Sequence, residues 1–266
     1  MYYFRGNKTY WFEVHGEGTP VVMLHGFTGS SATWQSFINE WSSCFQIITV
    51  DLPGHGKTKT PTLSSMDECL RDLNKLFQSL GLETFQLVGY SMGGRTALVY
   101  AMLYPEQVSS LILESASPGL EDAEERKLRR INDELLAGRI EQEGLQSFVD
   151  YWQDIPLFHS QKRLPAVVRG ELRSERLNQT AEGLALSLRT MGTGNQSSLW
   201  SRLQNLDIPV LLLVGELDPK FVMTNKKMQS KLKYGNLIIC EDAGHAIHVE
   251  KRETFGKIVI EFLNRI

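Results

Sequence analysis

The chain has 266 residues, 42% hydrophobic and 22% charged, with a net charge of −3 and a pI near 6.1. That balance fits one large globular domain with room for an insert, and its mild acidity offers no footing for nucleic acid. The three cysteines, Cys44, Cys69 and Cys240, show no CxxC or metal-ligand spacing, no apolar run is long enough to span or insert into a bilayer, and the N-terminus carries no signal-peptide pattern; a cytoplasmic protein with reduced thiols is expected.

Short apolar runs of β type lie at 10–14, 21–24 and 47–50. The second leads into Leu24-His25-Gly26-Phe27. A loop there can aim the Phe27 amide at a site beyond the strand end, while His25 itself reads as a structural residue of a tight turn. A helical pattern spans 64–80, and a strand follows at 85–89.

The next stretch, Leu87-Val88-Gly89-Tyr90-Ser91-Met92-Gly93-Gly94, sets Gly-x-Ser-x-Gly between an apolar strand and a helical run over 91–104. A strand that turns sharply into a helix strains its turn residue and accepts only very small neighbours. The strain exposes the Ser91 hydroxyl. It also leaves the Met92 amide at the helix start, free to donate to developing negative charge. The pentapeptide alone also reads as a plain strand-to-helix turn; the strand before it and the helix after it favour the catalytic reading.

A strand at 110–114 precedes a change of character. From 118 to 200 no strand pattern occurs, and Glu, Arg, Leu and Gln recur at helical spacing over 121–136 and 169–191. The expectation is a helical cap at 118–200 over a core formed by 1–117 and 201–266. Nine of the fifteen arginines fall in this stretch. Any one of them reads as solvated charge beside the local glutamates, but a cap must turn some of its faces inward.

The strand pattern resumes at 210–214 and is followed by Gly215-Glu216-Leu217-Asp218. Asp218 then lies just past a strand end; its alternative role is to cap the next helix, expected at 225–231. A last strand at 237–240 leads to Ala243-Gly244-His245, with His248 a weaker candidate, and a helix over 252–266 ends the chain. The alternation predicts an α/β protein with a mostly parallel central sheet flanked by helices, and a working site at the carboxyl ends of the strands.

Ser91, Asp218 and His245 each follow a predicted strand, in the order of a Ser–Asp–His triad. A serine hydroxyl is a poor nucleophile or base until a histidine takes its proton, and the histidine needs a carboxylate to fix its tautomer. Phe27 and Met92 supply the two backbone donors of an oxyanion hole. Arg95, four residues past Ser91, shares its helix face.

These motifs resemble the α/β-hydrolase superfamily over the whole chain, and thus the α/β-hydrolase fold with a helical cap insert. More narrowly the chain resembles the 2-succinyl-6-hydroxy-2,4-cyclohexadiene-1-carboxylate synthases, lyases of menaquinone biosynthesis. The narrower likeness rests on Gly89-Tyr90-Ser91-Met92-Gly93-Gly94-Arg95, Glu114-Ser115-Ala116-Ser117-Pro118-Gly119-Leu120, Glu124-Glu125-Arg126-Lys127-Leu128-Arg129, Trp152-Gln153-Asp154-Ile155-Pro156-Leu157-Phe158 and Gly244-His245-Ala246-Ile247-His248. It implies elimination of pyruvate from a small anionic polycarboxylate, without metal or organic cofactor. It implies further that Arg95, Arg129 and Arg176 bind the carboxylates, with Arg173 as an alternative to Arg176, and that Tyr90 and Trp152 line the pocket. Two other readings stay open. One is a carboxylesterase or carbon–carbon bond hydrolase of the same fold. The other is a non-catalytic ligand-binding protein, which would not require all three triad members.

Overall fold

Apolar runs punctuated by glycine and proline become strands covered on both faces. In the computed structural model, which describes residues 1–266, eight strands form one sheet. They are β1 (Tyr2–Arg5), β2 (Lys8–His15), β3 (Thr19–Leu24), β4 (Phe45–Val50), β5 (Phe85–Tyr90), β6 (Val108–Glu114), β7 (Val210–Gly215) and β8 (Gly235–Cys240). The spatial order is β1-β2-β4-β3-β5-β6-β7-β8. The β1/β2 and β2/β4 pairs are antiparallel and all others parallel. Helices α1 (Gln35–Trp41), α2 (Met66–Ser79) and α3 (Met92–Leu103) precede β6; α4 (Ala123–Trp152), α5 (Ala166–Leu177) and α6 (Ala181–Met191) lie between β6 and β7. Then come α7 (Pro219–Gln229), α8 (Ile247–Glu250) and α9 (Arg252–Leu263). No helix is long and apolar enough to cross a membrane, and the three cysteines are free.

Strand alternation divides the core in two. Val22 and Leu24 of β3 join Leu70, Leu73 and Phe77 of α2 on one face. Val21 and Met23 join Phe37 of α1 and Phe255 and Val259 of α9 on the other. A third, smaller cluster belongs to the helices between β6 and β7: Ala137, Ile140, Phe148 and Val149 of α4 pack on Leu184, Ala185 and Leu188 of α6. α4 breaks at Gly144 (φ 83, ψ 165), a left-handed conformation natural to glycine. Side chains of this helical segment clasp the loops after β3 and β4. Glu175 accepts from the Ser30 amide at 3.0 Å and the Thr33 hydroxyl at 2.6 Å, and Gln179 accepts from the Gly56 amide at 2.8 Å.

The sheet has one strand more than the sequence pattern yields. β1 is an exposed edge strand whose short aromatic run, Tyr2-Tyr3-Phe4, was not among the expected strands. α1 was also absent from the expected helices. The helix expected at 225–231 begins at Pro219, capped by the Asp218 side chain. The pattern over 121–136 continues to Trp152, and that over 169–191 is two helices, the second started by Thr180 capping Gly183.

The backbone approaches itself closely where β5 turns into α3. A Cβ on Gly89 would lie 2.5 Å from the Gly93 carbonyl oxygen, and one on Gly93 would lie 2.2 Å from that of Leu24. Both obstacles are backbone and cannot rotate away. Gly138, inside α4, has open space where its Cβ would be. The same substitution is therefore expected to act in opposite directions. Gly93→Ala loses about 2–3 kcal/mol or more through overpacking, while Gly138→Ala gains up to about 1 kcal/mol from helix propensity. The shift of the urea midpoint in each variant checks both signs.

Candidate active site

Ser91 sits at the turn between β5 and α3 with φ 49 and ψ −105, a conformation that non-glycine residues avoid. Its hydroxyl donates to His245 Nε2 at 3.0 Å, and His245 Nδ1 donates to Asp218 Oδ2 at 2.6 Å. Asp218 and His245 are both buried. The other Asp218 oxygen accepts from the Phe221 amide at 3.3 Å, so this residue both caps α7 and holds the histidine. The loop bearing His245 is fixed by Glu250, which accepts from the Gly244 amide at 2.8 Å. The ring packs edge-on against Phe221. His248 turns to another partner, donating from Nδ1 to buried Glu114 at 2.8 Å beneath the Tyr90 ring.

The Phe27 and Met92 amides have no acceptor within the chain, and both residues line the cavity that Ser91 and His245 face. Two buried histidines brace the Phe27 loop. His25 accepts from the Leu52 amide at Nε2 (2.9 Å) and donates from Nδ1 to the Gly26 carbonyl (2.8 Å). His55 accepts from the Thr28 amide (3.1 Å) and donates to the Pro53 carbonyl (3.0 Å). Each ring needs one bare nitrogen, so each works as the neutral tautomer. Burial lowers both pKa values; that of His55 falls to about 3, helped by the neighbouring His25.

The cavity has a volume of about 1050 Å³. Arg95, Arg129, Tyr90 and Trp152 line it together with Ser91 and His245. Arg95 is 8% exposed and donates to the Met191 carbonyl (2.8 Å) and to Gln196 Oε1 (3.0 Å). Burial, and secondarily Arg129, lowers its pKa to about 10. Arg129 donates from Nε to Asp133 at 2.7 Å. Tyr90 is buried, which raises its hydroxyl pKa well above the ordinary value, with Glu114 adding to the effect.

Arg176 departs from expectation. It does not line this cavity but a neighbouring chamber of about 40 Å³, which shares Phe27, Tyr90 and Phe158 with it. Its guanidinium lies 5.1 Å from the centre of the Phe158 ring and donates to Gln161 at 3.1 Å. No carboxylate pairs with it, and burial lowers its pKa. A phenylalanine whose place in the pocket was not anticipated thus stands between this arginine and Ser91. The alternative, Arg173, is committed to Asp150 at 2.5 Å.

Two further polar residues of the cavity wall escaped the sequence reading. Ser115, at the end of β6, has φ 48 and a buried hydroxyl without a partner. Its place directly after an apolar strand was the available signal, the same one that marks Ser91. Asp133 stands one helical turn after Arg129, a spacing visible in the sequence but common on solvated helices.

Protonating His55 requires breaking its bond to the Thr28 amide. Its folded pKa lies below the ordinary histidine value, so the folded state binds fewer protons than the unfolded state between about pH 6.5 and 3. The contribution of His55 is therefore present above pH 6.5 and fades as pH falls toward 3. Melting temperature measured across this range is expected to fall less steeply in His55→Gln than in the unchanged protein.

A family model described as alpha/beta hydrolase fold matches residues 19–252. A Bacillus subtilis (strain 168) protein provisionally named as a 2-succinyl-6-hydroxy-2,4-cyclohexadiene-1-carboxylate synthase is 47% identical over 92% of this chain and 90% of its own length. The synthase of that name from Serratia proteamaculans (strain 568) is 31% identical over 91% of this chain and 92% of its own. The solved structure of MenH from S. aureus superposes with a TM-score of 0.92 at 35% identity, covering 96% of this chain and 98% of that one. The match spans the strands, the serine turn and the helices between β6 and β7, and so the chain belongs to the α/β-hydrolase fold family and, within it, to the 2-succinyl-6-hydroxy-2,4-cyclohexadiene-1-carboxylate synthases.

Proposed function

We propose that this chain eliminates pyruvate from 2-succinyl-5-enolpyruvyl-6-hydroxy-3-cyclohexene-1-carboxylate, leaving 2-succinyl-6-hydroxy-2,4-cyclohexadiene-1-carboxylate, in menaquinone biosynthesis. One observation carries the reading: a serine–histidine–aspartate chain at bonding distance and two unpaired amides face a cavity whose wall includes the Arg95 and Arg129 guanidiniums. A neutral ester gives such cations nothing to bind. A polycarboxylate pairs with their planar forks.

In this reading Ser91, its own proton drawn to His245, removes the ring proton beside the succinyl carbonyl. The electron pair moves onto that carbonyl oxygen, where the Phe27 and Met92 amides stabilise it. Its return forms the diene and breaks the carbon–oxygen bond to the enolpyruvyl group. The departing pyruvate enolate takes back the proton held on His245, whose imidazolium Asp218 stabilises meanwhile. Arg95 and Arg129 hold the carboxylates from the core and the helical side. Tyr90 and Trp152 form walls, and residues 118–200 act as a cap over the 1–117 and 201–266 core. Arg176 joins the site if Phe158 swings aside. The free cysteines suit a reducing cytoplasm.

Pyruvate release, followed by coupled NADH oxidation, measures the reaction. Ser91→Ala is expected to lower it about a thousandfold or more, since the proton acceptor is gone. A covalent serine probe is expected to label the unchanged chain and not this variant, which sets an enzyme apart from a mere binding protein.

Arg95→Ala separates the lyase from an esterase. A charge-assisted hydrogen bond is worth roughly 1.5–3 kcal/mol, a tenfold to hundredfold effect on an anionic substrate. Pyruvate release is expected to fall by that factor while hydrolysis of a small neutral ester falls far less. Lysine at this position restores only part, because it offers a point charge in place of a fork. Equal losses on both substrates would leave Arg95 as a brace for α3 and favour the esterase.

A further inference from the structure

Two cations in one poorly solvated cavity repel each other, and each gains by turning toward water. Arg95 is buried and feels the charge of Arg129, whose side chain stays 42% exposed. Arg129 is held at Nε by Asp133 Oδ1, 2.7 Å away and one helical turn further along α4. That contact fixes the plane of the guanidinium and leaves both terminal nitrogens uncommitted. Asp133 is 4% exposed, its second oxygen has no hydrogen-bond partner, and burial raises its pKa against the opposing pull of Arg129. A half-satisfied buried carboxylate is a poor stabiliser.

Arg95 is held by neutral acceptors only, the Met191 carbonyl and Gln196 Oε1. Gln196 is 3% exposed, and its Nε2 has no acceptor. Its amide serves the arginine while its own donors go unmet. Because no carboxylate touches Arg95, its charge stays available. Both restraints meet in one turn, residues 191–196. Gly192 packs on Asp133, leaving no room for a Cβ, which would lie 2.6 Å from Oδ2. The Gly194 carbonyl accepts from Arg130 of α4 at 3.0 Å.

We propose that Asp133 and Gln196 are positioning residues that, through the 191–196 turn, hold the Arg129 and Arg95 guanidiniums as one pre-formed receptor for a ligand bearing two carboxylates. This inference rests on the anionic-substrate reading above. Asp133 balances the charge of Arg129 and leaves that of Arg95 unpaired, which limits the repulsion between these two without closing either fork.

The test compares Asp133→Leu, Asp133→Asn, Gln196→Leu and Gln196→Met. Two readouts are used: steady-state pyruvate release, and quenching of tryptophan fluorescence on titration with succinate. Loss of a positioning contact is expected to raise KM and the succinate Kd about tenfold in the leucine variants, with kcat falling less than threefold. Asp133→Asn keeps an acceptor toward Arg129 and is expected to return both constants to within about threefold of the unchanged protein. A merely structural role would lower the melting temperature without that rescue. KM and Kd within twofold of the unchanged protein in both leucine variants, or an asparagine variant as weak as the leucine one, overturns the proposal. If the leucine variants do not fold, Gln196→Met carries the same comparison at equal side-chain length. If the unchanged protein binds succinate but releases no pyruvate, the lyase reading fails and the succinate constants alone decide this one. If it does not bind succinate, the receptor is refuted.

Discussion

The whole site hangs on how closely the start of α3 approaches the end of β3. With glycine at 89 and 93, the turn that carries Ser91 lies against the Leu24 backbone, nearer than any side chain would allow. That proximity forces the positive φ of Ser91 and brings the first free amide of α3 beside the loop holding the Phe27 amide. Two donors on different strand ends become neighbours for that reason. Arg95 inherits its place too, since one turn of helix carries it from Ser91 to the cavity wall. Where a strained backbone is held by packing on every side, the geometry needs no rearrangement at the moment of reaction.

Charge is distributed with the same economy. The cavity wall combines the Phe27 and Met92 amides and the Ser91 and Ser115 hydroxyls with the Arg95 and Arg129 guanidiniums. Four buried histidines are held by different partners. His25 and His55 are neutral clamps on backbone, His245 faces a carboxylate across one nitrogen and a hydroxyl across the other, and His248 is bound to Glu114. Tyr90 lies between the last two rings and packs on both. Glu114 also accepts the Ser91 amide through its backbone carbonyl. The residue that ends β6 thus supports the serine turn with its backbone and the His248 loop with its side chain.

What the sequence makes legible here is whatever depends on local rules. Ser91, Asp218 and His245 each follow the end of an apolar strand, and the proposed roles of Met92 and Phe27 use only their backbones, so strand ends sufficed to single them out. Arg95 follows from helix spacing. Legibility stops where distant segments meet. That Asp218 divides its two oxygens between α7 and His245 could not be read from a motif that allowed either role. Nor could the packing of Phe158 on Arg176, or the joining of Gln196 to Arg95, because each depends on how helices dock. β1 escaped for a different reason: its aromatic run, Tyr2-Tyr3-Phe4, is short and does not alternate with polar residues.

The break in α4 at Gly144 has a metrical consequence. Arg129 and Trp152 belong to one named helix, and in an unbroken one they would stand about 35 Å apart along its axis. Both instead line one cavity of about 1050 Å³. The glycine folds the rod back so that a charged end and an aromatic end enclose the same volume. The stretch from Arg129 to Gly144 then acts as a ruler. Lengthening it by one residue would turn the arginine by about 100° around the axis, and lengthening it by a full turn would restore its direction but displace it by about 5.4 Å. The number of residues in this arm, as much as their identity, sets where Arg129 stands in the cavity wall.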